Sequence, residues 1–152
     1  FFPDKRQALM ELLRLLRSGG ECLACVAGNL EDNPLMRSQV AALSKHVGPD
    51  AAAGIRAVCG LADADHIRGL FSDAGYVDVA VETVTLTLEH DDATAFVTNG
   101  IASTPVAGLI ADWPNERLNA LLSDILDGFG EYYDGKSLRF PHVSNVIVAR
   151  KP

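Results

Sequence analysis

Cys22 and Cys25 are separated by two residues, a spacing at which a redox pair or half of a zinc site brings two sulfurs together. The run that holds them, Glu21-Cys22-Leu23-Ala24-Cys25-Val26-Ala27-Gly28, reads as a strand, and on a strand residues three apart point to opposite faces. Both are therefore expected as core cysteines. With Cys59 the count is odd, and nothing demands an oxidising compartment. His46, His66, His90 and His142 show no HxxH or HExxH grouping, so no zinc site is expected. Three of them are expected at surface or capping positions. His142, in Phe140-Pro141-His142 at the entry to the last strand, is the candidate for touching substrate. The absence of a Gly-x-Ser-x-Gly elbow argues against hydrolysis by a nucleophilic serine. Asp91-Asp92 and Asp63/Asp65 read as helix caps, not metal ligands. No catalytic residue is assigned.

The elements that must position these groups follow from periodicity. From Cys22 to Ala27 there is no charge and no strict alternation, the pattern of a strand covered on both faces in a parallel α/β sheet. This strand is expected to be central. Before it lies one helix, capped by Asp4 with Gln7 at the capping-box position and stopped by Ser18-Gly19-Gly20. Its stripe is Ala8, Leu9, Leu12, Leu13 and Leu16, with Lys5, Arg6, Glu11, Arg14 and Arg17 largely opposite. After Gly28 the polar loop Asn29 to Pro34 is the first candidate site wall, because ligands of open α/β sheets bind beyond the carboxyl ends of strands.

A helix over 34–46 and an Ala-rich piece with Ile55 and Val58 lie outside the regular strand-helix alternation. They read as a lid or substrate insertion, or as plain packing. Asp63 caps a helix through Ala74, and Gly75 supplies its left-handed end. A strand from Val77 to about Leu88 has apolar positions 77, 79 and 81, then 84, 86 and 88. Its phase flips near Glu82-Thr83, which predicts a bulge or bend. Asp91 or Asp92 caps a helix that Asn99-Gly100 ends, and a second insertion runs from Ile101 to Trp113. Pro114 starts a longer helix with Leu118, Leu121, Leu122, Ile125, Phe129 and Tyr132 inward, and Val143 to Ala149 is the last strand.

At 152 residues, 48% hydrophobic and 22% charged, the chain is expected to form one globular domain. It contains no apolar run of about 18 residues and opens on no basic segment leading into an apolar one, so neither a membrane span nor a signal peptide is indicated. A cytoplasmic protein is expected. A net charge of −7 and a pI near 4.9 argue against a nucleic-acid surface, which needs clustered Lys and Arg. The sequence begins Phe1-Phe2-Pro3 without Met, and its start is expected to be a cut edge.

The order of parts is itself informative. A helix ending Leu15-Leu16-Arg17-Ser18-Gly19-Gly20 precedes the apolar strand, and a helix ending Leu70-Phe71-Ser72-Asp73-Ala74-Gly75-Tyr76 precedes Val77-Asp78-Val79. Asn145-Val146-Ile147-Val148-Ala149-Arg150-Lys151 closes the chain. Together these resemble the C-terminal part of class I S-adenosylmethionine-dependent methyltransferases, in the small-molecule branch of ubiquinone and menaquinone biosynthesis. There the equivalent stretches read R-x-L-(K/R)-P-G-G and a-G-F-x-x-V; Ser18 stands here where Pro is usual. The likeness covers nearly the whole chain.

The resemblance implies an α/β fold, the C-terminal half of a Rossmann-like sheet with strands in the order 5-7-6. The last strand would be antiparallel between the other two, with helical insertions at about 29–61 and 91–141 of a single domain, 1–152. It implies transfer of the sulfonium methyl group of S-adenosylmethionine to O, N or C of a small-molecule acceptor, driven largely by alignment of the reactants. Phe1, Phe2 and Asp4 match a run that lies near the methionine end of the cofactor in relatives. Gly28 and Asn29 would close the fifth strand facing the same cleft, although relatives often carry an aromatic near Ala27. Phe96, Asn99, Ile101, Phe140 and His142 fall in the insertion where relatives build the acceptor pocket; for Phe96 and Phe140 core packing is an equal reading.

The family's Gly-rich turn after the first strand, and the acidic residue ending the second, hold the cofactor. Neither occurs in this sequence. Supplying them would take roughly a hundred residues at about 30 per βα unit. A half-sheet of this kind leaves strand 22–27 bare along one edge, and an apolar edge without charge or proline pairs readily with another chain. The expected partner is a missing N-terminal half or a second copy in a homodimer. The alternative function is a non-catalytic methyltransferase-like module for dimerisation or protein contact.

Overall fold

The computed structural model describes residues 2–152; Phe1 lies outside the described residues. In chain order the elements are α1 (Lys5–Leu15), β1 (Glu21–Ala27), α2 (Pro34–His46), α3 (Pro49–Val58), α4 (Ala64–Asp73), β2 (Val77–His90), α5 (Ala93–Ala102), α6 (Val106–Ile110), α7 (Asn115–Asp127) and β3 (Leu138–Arg150). The chain divides into two compact units. One holds the residues up to Asn29, Ala57–Thr85 and Val143–Pro152, and the other Leu30–Arg56 and Leu86–His142.

The first unit is built on a three-stranded sheet in the order β1-β3-β2. β1 runs antiparallel to β3, from Glu21 opposite Arg150 to Ala27 opposite Ser144. Asp78 pairs with Arg150 and Thr83 with Asn145, so β2 is antiparallel to β3 as well. One face is covered by α1 and α4: Ile67, Phe71, Ala74, Tyr76, Ile147 and Ala149 form the core, with Leu9, Leu13, Leu16, Cys22, Ala24 and Val26 against it. Asp4 Oδ1 accepts from the Gln7 N–H at 2.8 Å and Asp63 Oδ1 from the His66 N–H at 2.6 Å, which caps both helices. At Gly75 the chain turns out of α4 with φ +99°, a conformation that suits glycine.

Among the described residues β1 bonds only to β3. The expectation that fails is cover on both faces, because the second face is open: Leu23 is 74% exposed and Cys25 is exposed. Cys25 is therefore not a core cysteine, whereas Cys22 and Cys59 are half-buried. The apolar run reports what the strand's faces prefer, not whether this stretch of chain supplies a cover for both. The helix stripe holds apart from one residue: Leu9, Leu13 and Leu16 pack, but Leu12 is 46% exposed.

The second unit is helical around the ends of β2 and β3. Val40, Leu43, Ala52, Val97, Ile101, Leu121, Ile125, Phe129, Leu138 and Phe140 are all in its buried core. Asp92 caps α5 by accepting from the Ala95 N–H at 2.8 Å. That helix does not stop at Asn99-Gly100 but runs to Ala102, with Ser103 as its cap. Gly100 packs toward the side chain of Gln39, whose Nε2 a Cβ would meet at 3.9 Å, and a helix carries one glycine at modest cost. β3 likewise begins at Leu138, five residues before the expected Val143. Pro141 lies inside it, and a strand admits proline where no ladder N–H is needed. Along β2 the half-buried positions are 79 and 81, then 84, 88 and 90, so the phase changes where the sequence flips.

Candidate functional site

In the first unit, the carboxyl end of β1 opens on a cleft of about 600 Å³ lined by Phe2, Pro3, Lys5, Cys25, Val26, Ala27 and residues 57–61 other than Cys59. Its size falls within the range of small-molecule sites. Three short segments build it. The turn into α1 brings Phe2 and Pro3, β1 brings alternating side chains, and the end of α3 brings Ala57 and Val58. The wall is apolar apart from Lys5 and the Cys25 thiol. Burial pushes the neighbouring Cys59 thiol up, and Cys22 faces the other side, near Tyr76. The Tyr76 hydroxyl donates to Leu9 O at 3.2 Å, and its burial, with Cys22 beside it, pushes its pKa up to about 12.

The residues that the resemblance assigns to the cofactor divide. Phe2, 65% exposed, lines the cleft. Asp4 spends a carboxylate oxygen on the α1 cap, and Phe1 lies outside the described residues. Gly28 is buried, donates to Val143 O at 2.8 Å, and would put a Cβ within 2.9 Å of Val143 Cγ1. Only glycine fits that approach of the two strands. Asn29 is exposed.

The expected acceptor residues lie in the second unit. Phe96 and Asn99 line one cleft of about 480 Å³ with His90, Asp91, Asp92 and Ser103 among others. His90 stacks on Phe96, with ring centroids 3.9 Å apart and planes at 20°. Phe140 lies edge-on to Phe129 at 4.9 Å, and Phe140 and Ile101 are buried in the core. His142 is half-buried on β3 rather than at its entry. Sequence reasoning missed Lys5, Cys25, Ala57, Val58, Gly60 and Leu61 in the first cleft and His90 in the second. Lys5 carried a usable signal, being a cation in the first turn of a helix, where acids are usual. No group of three or more His, Cys, Asp or Glu among the described residues could hold a metal ion, and no helix among them is long and apolar enough to cross a membrane.

No family model matches this chain, and no curated protein does. Among solved structures it is similar to phosphoethanolamine N-methyltransferase 2 of Haemonchus contortus, in complex with phosphomonomethylethanolamine and S-adenosylhomocysteine. That match has a TM-score of 0.41 at 14% identity over 98% of this chain. It is also similar to a candidate methyltransferase of Bacillus halodurans, with a TM-score of 0.47 at 16% identity over 99% of this chain. The chain spans 30% and 59% of the lengths of these two proteins.

Proposed function

We propose that this chain is part of an S-adenosylmethionine-dependent methyltransferase acting on a small molecule. The observation that carries the reading is the cleft at the carboxyl end of β1, which gathers Phe2 and Pro3 of the Phe-Phe-Pro-Asp run with Val26 and Ala27. In the larger parallel sheet that the resemblance implies, that end of a strand is where ligands bind. The cleft has room for the methionine end of the donor: Phe2, Val58 and Leu61 give an apolar wall for its methylene chain, and Lys5 is the one cation among the described lining residues. The nucleoside end needs a glycine-rich turn and an acidic residue ending a parallel strand, and these 152 residues contain neither. Those contacts therefore belong to residues outside this sequence. Bound there, the donor would supply an electrophilic methyl group. The cleft residues of this chain orient it and keep water away.

The test is calorimetric titration of the full gene product with S-adenosylmethionine and S-adenosylhomocysteine. Saturable binding of both, in about the micromolar to millimolar range typical of substrates, supports the reading. No binding of either overturns it.

The unpaired edge of β1 favours a second reading, a non-catalytic module that associates through that strand. Under it the full gene product binds neither nucleoside and self-associates.

A further inference from the structure

Lys5 is the one charged side chain among the described residues lining the cleft of the first unit. Its side chain has no hydrogen bond or ion pair among the described residues, whereas the side chain of the adjacent Arg6 reaches Asp73 O at 3.4 Å. Lys5 also stands in the first turn of α1, which contains no acidic residue. The exposed N–H groups and dipole of that end favour anions, so an unpaired ammonium there weakens the helix. Helix stability does not explain its presence, and sequences break local rules chiefly where a site requires it.

We propose that Lys5 is a positioning residue that pairs with an anionic group of the ligand in this cleft. Resting on the methyl-transfer reading, that group is the carboxylate at the methionine end of the donor. An ammonium on a flexible stem at the rim of an apolar cleft attracts one carboxylate and fixes which way the ligand enters. No bond is made or broken at Lys5.

The test compares two ligands on the full gene product by calorimetry: S-adenosylmethionine and its decarboxylated form, which keeps the sulfonium and nucleoside and lacks only the carboxylate. Wild type should prefer S-adenosylmethionine by about fivefold, the scale of a partly exposed ion pair. Lys5→Met should erase that preference by weakening S-adenosylmethionine alone, and Lys5→Arg should restore it. Lys5 is exposed, and an unchanged thermal melt of Lys5→Met separates loss of the pair from loss of fold. If Lys5→Met binds S-adenosylmethionine as well as wild type does, the lysine assignment is overturned while the donor reading stands. If wild type binds neither ligand, the donor reading falls and the lysine assignment with it.

Discussion

A carboxylate that accepts several hydrogen bonds becomes a stronger acid, and Asp134 does so in the turn before β3. Its oxygens accept from the Ser137 hydroxyl at 2.6 Å, the Ser137 N–H at 2.6 Å and the Lys136 N–H at 2.9 Å, which bring its pKa down to about 2. Because the folded value lies below the ordinary 3.8, these bonds stabilise the fold fully above about pH 4, and that contribution disappears as pH falls toward 2. Asp134→Asn should therefore lower the urea midpoint at pH 7, and its gap to wild type should close between about pH 4 and pH 2. A gap that does not change with pH would mean that the turn is held by something other than the charge. Lys5 presents the opposite case, an exposed charge whose side chain has no partner among the described residues.

At the scale of elements, local chemistry decided most of what the sequence made legible. Asp4, Asp63 and Asp92 each accept an N–H three residues on, and all three were readable because a capping side chain acts within one turn. Removing one should cost about 1 kcal/mol: Asp63→Ala is expected to lower the unfolding free energy by that amount in chemical denaturation, without changing the slope. α2 begins and ends where its apolar spacing and Gly48 put it. What misled the reading were residues whose meaning is set by distant partners. Gly100 looked like a stop but packs toward Gln39 inside α5, and the last strand, expected from Val143, begins at Leu138. Half of the first cleft was legible for the same reason. Phe2 and the end of β1 stood in recognisable runs, whereas residues 57–61 reach the cleft only through the course of the chain, which no local pattern encodes.

For the molecule as a whole, β1 raises the question of what it pairs with. It offers seven residues of edge backbone, uncharged from Cys22 to Ala27 and without proline. Its outward Leu23 stands opposite Val148, itself 38% exposed. An edge of this kind is a template for another strand. In the 152-residue chain by itself, a second copy pairing antiparallel about Ala24 would satisfy the free N–H and C=O groups of both β1 strands and bring the Leu23 side chain of each beside the neighbouring strand on the same face. Sedimentation velocity should then show concentration-dependent association. Leu23→Lys places a charge on that face at a position 74% exposed, so the folded monomer should change in stability by no more than about 0.5 kcal/mol. The association should nevertheless weaken, because pairing now brings a lysine from each copy onto one apolar face. A wild-type chain that stays monomeric at every concentration would remove the association reading. If the Leu23→Lys variant associates as well as wild type, the contact moves to another surface.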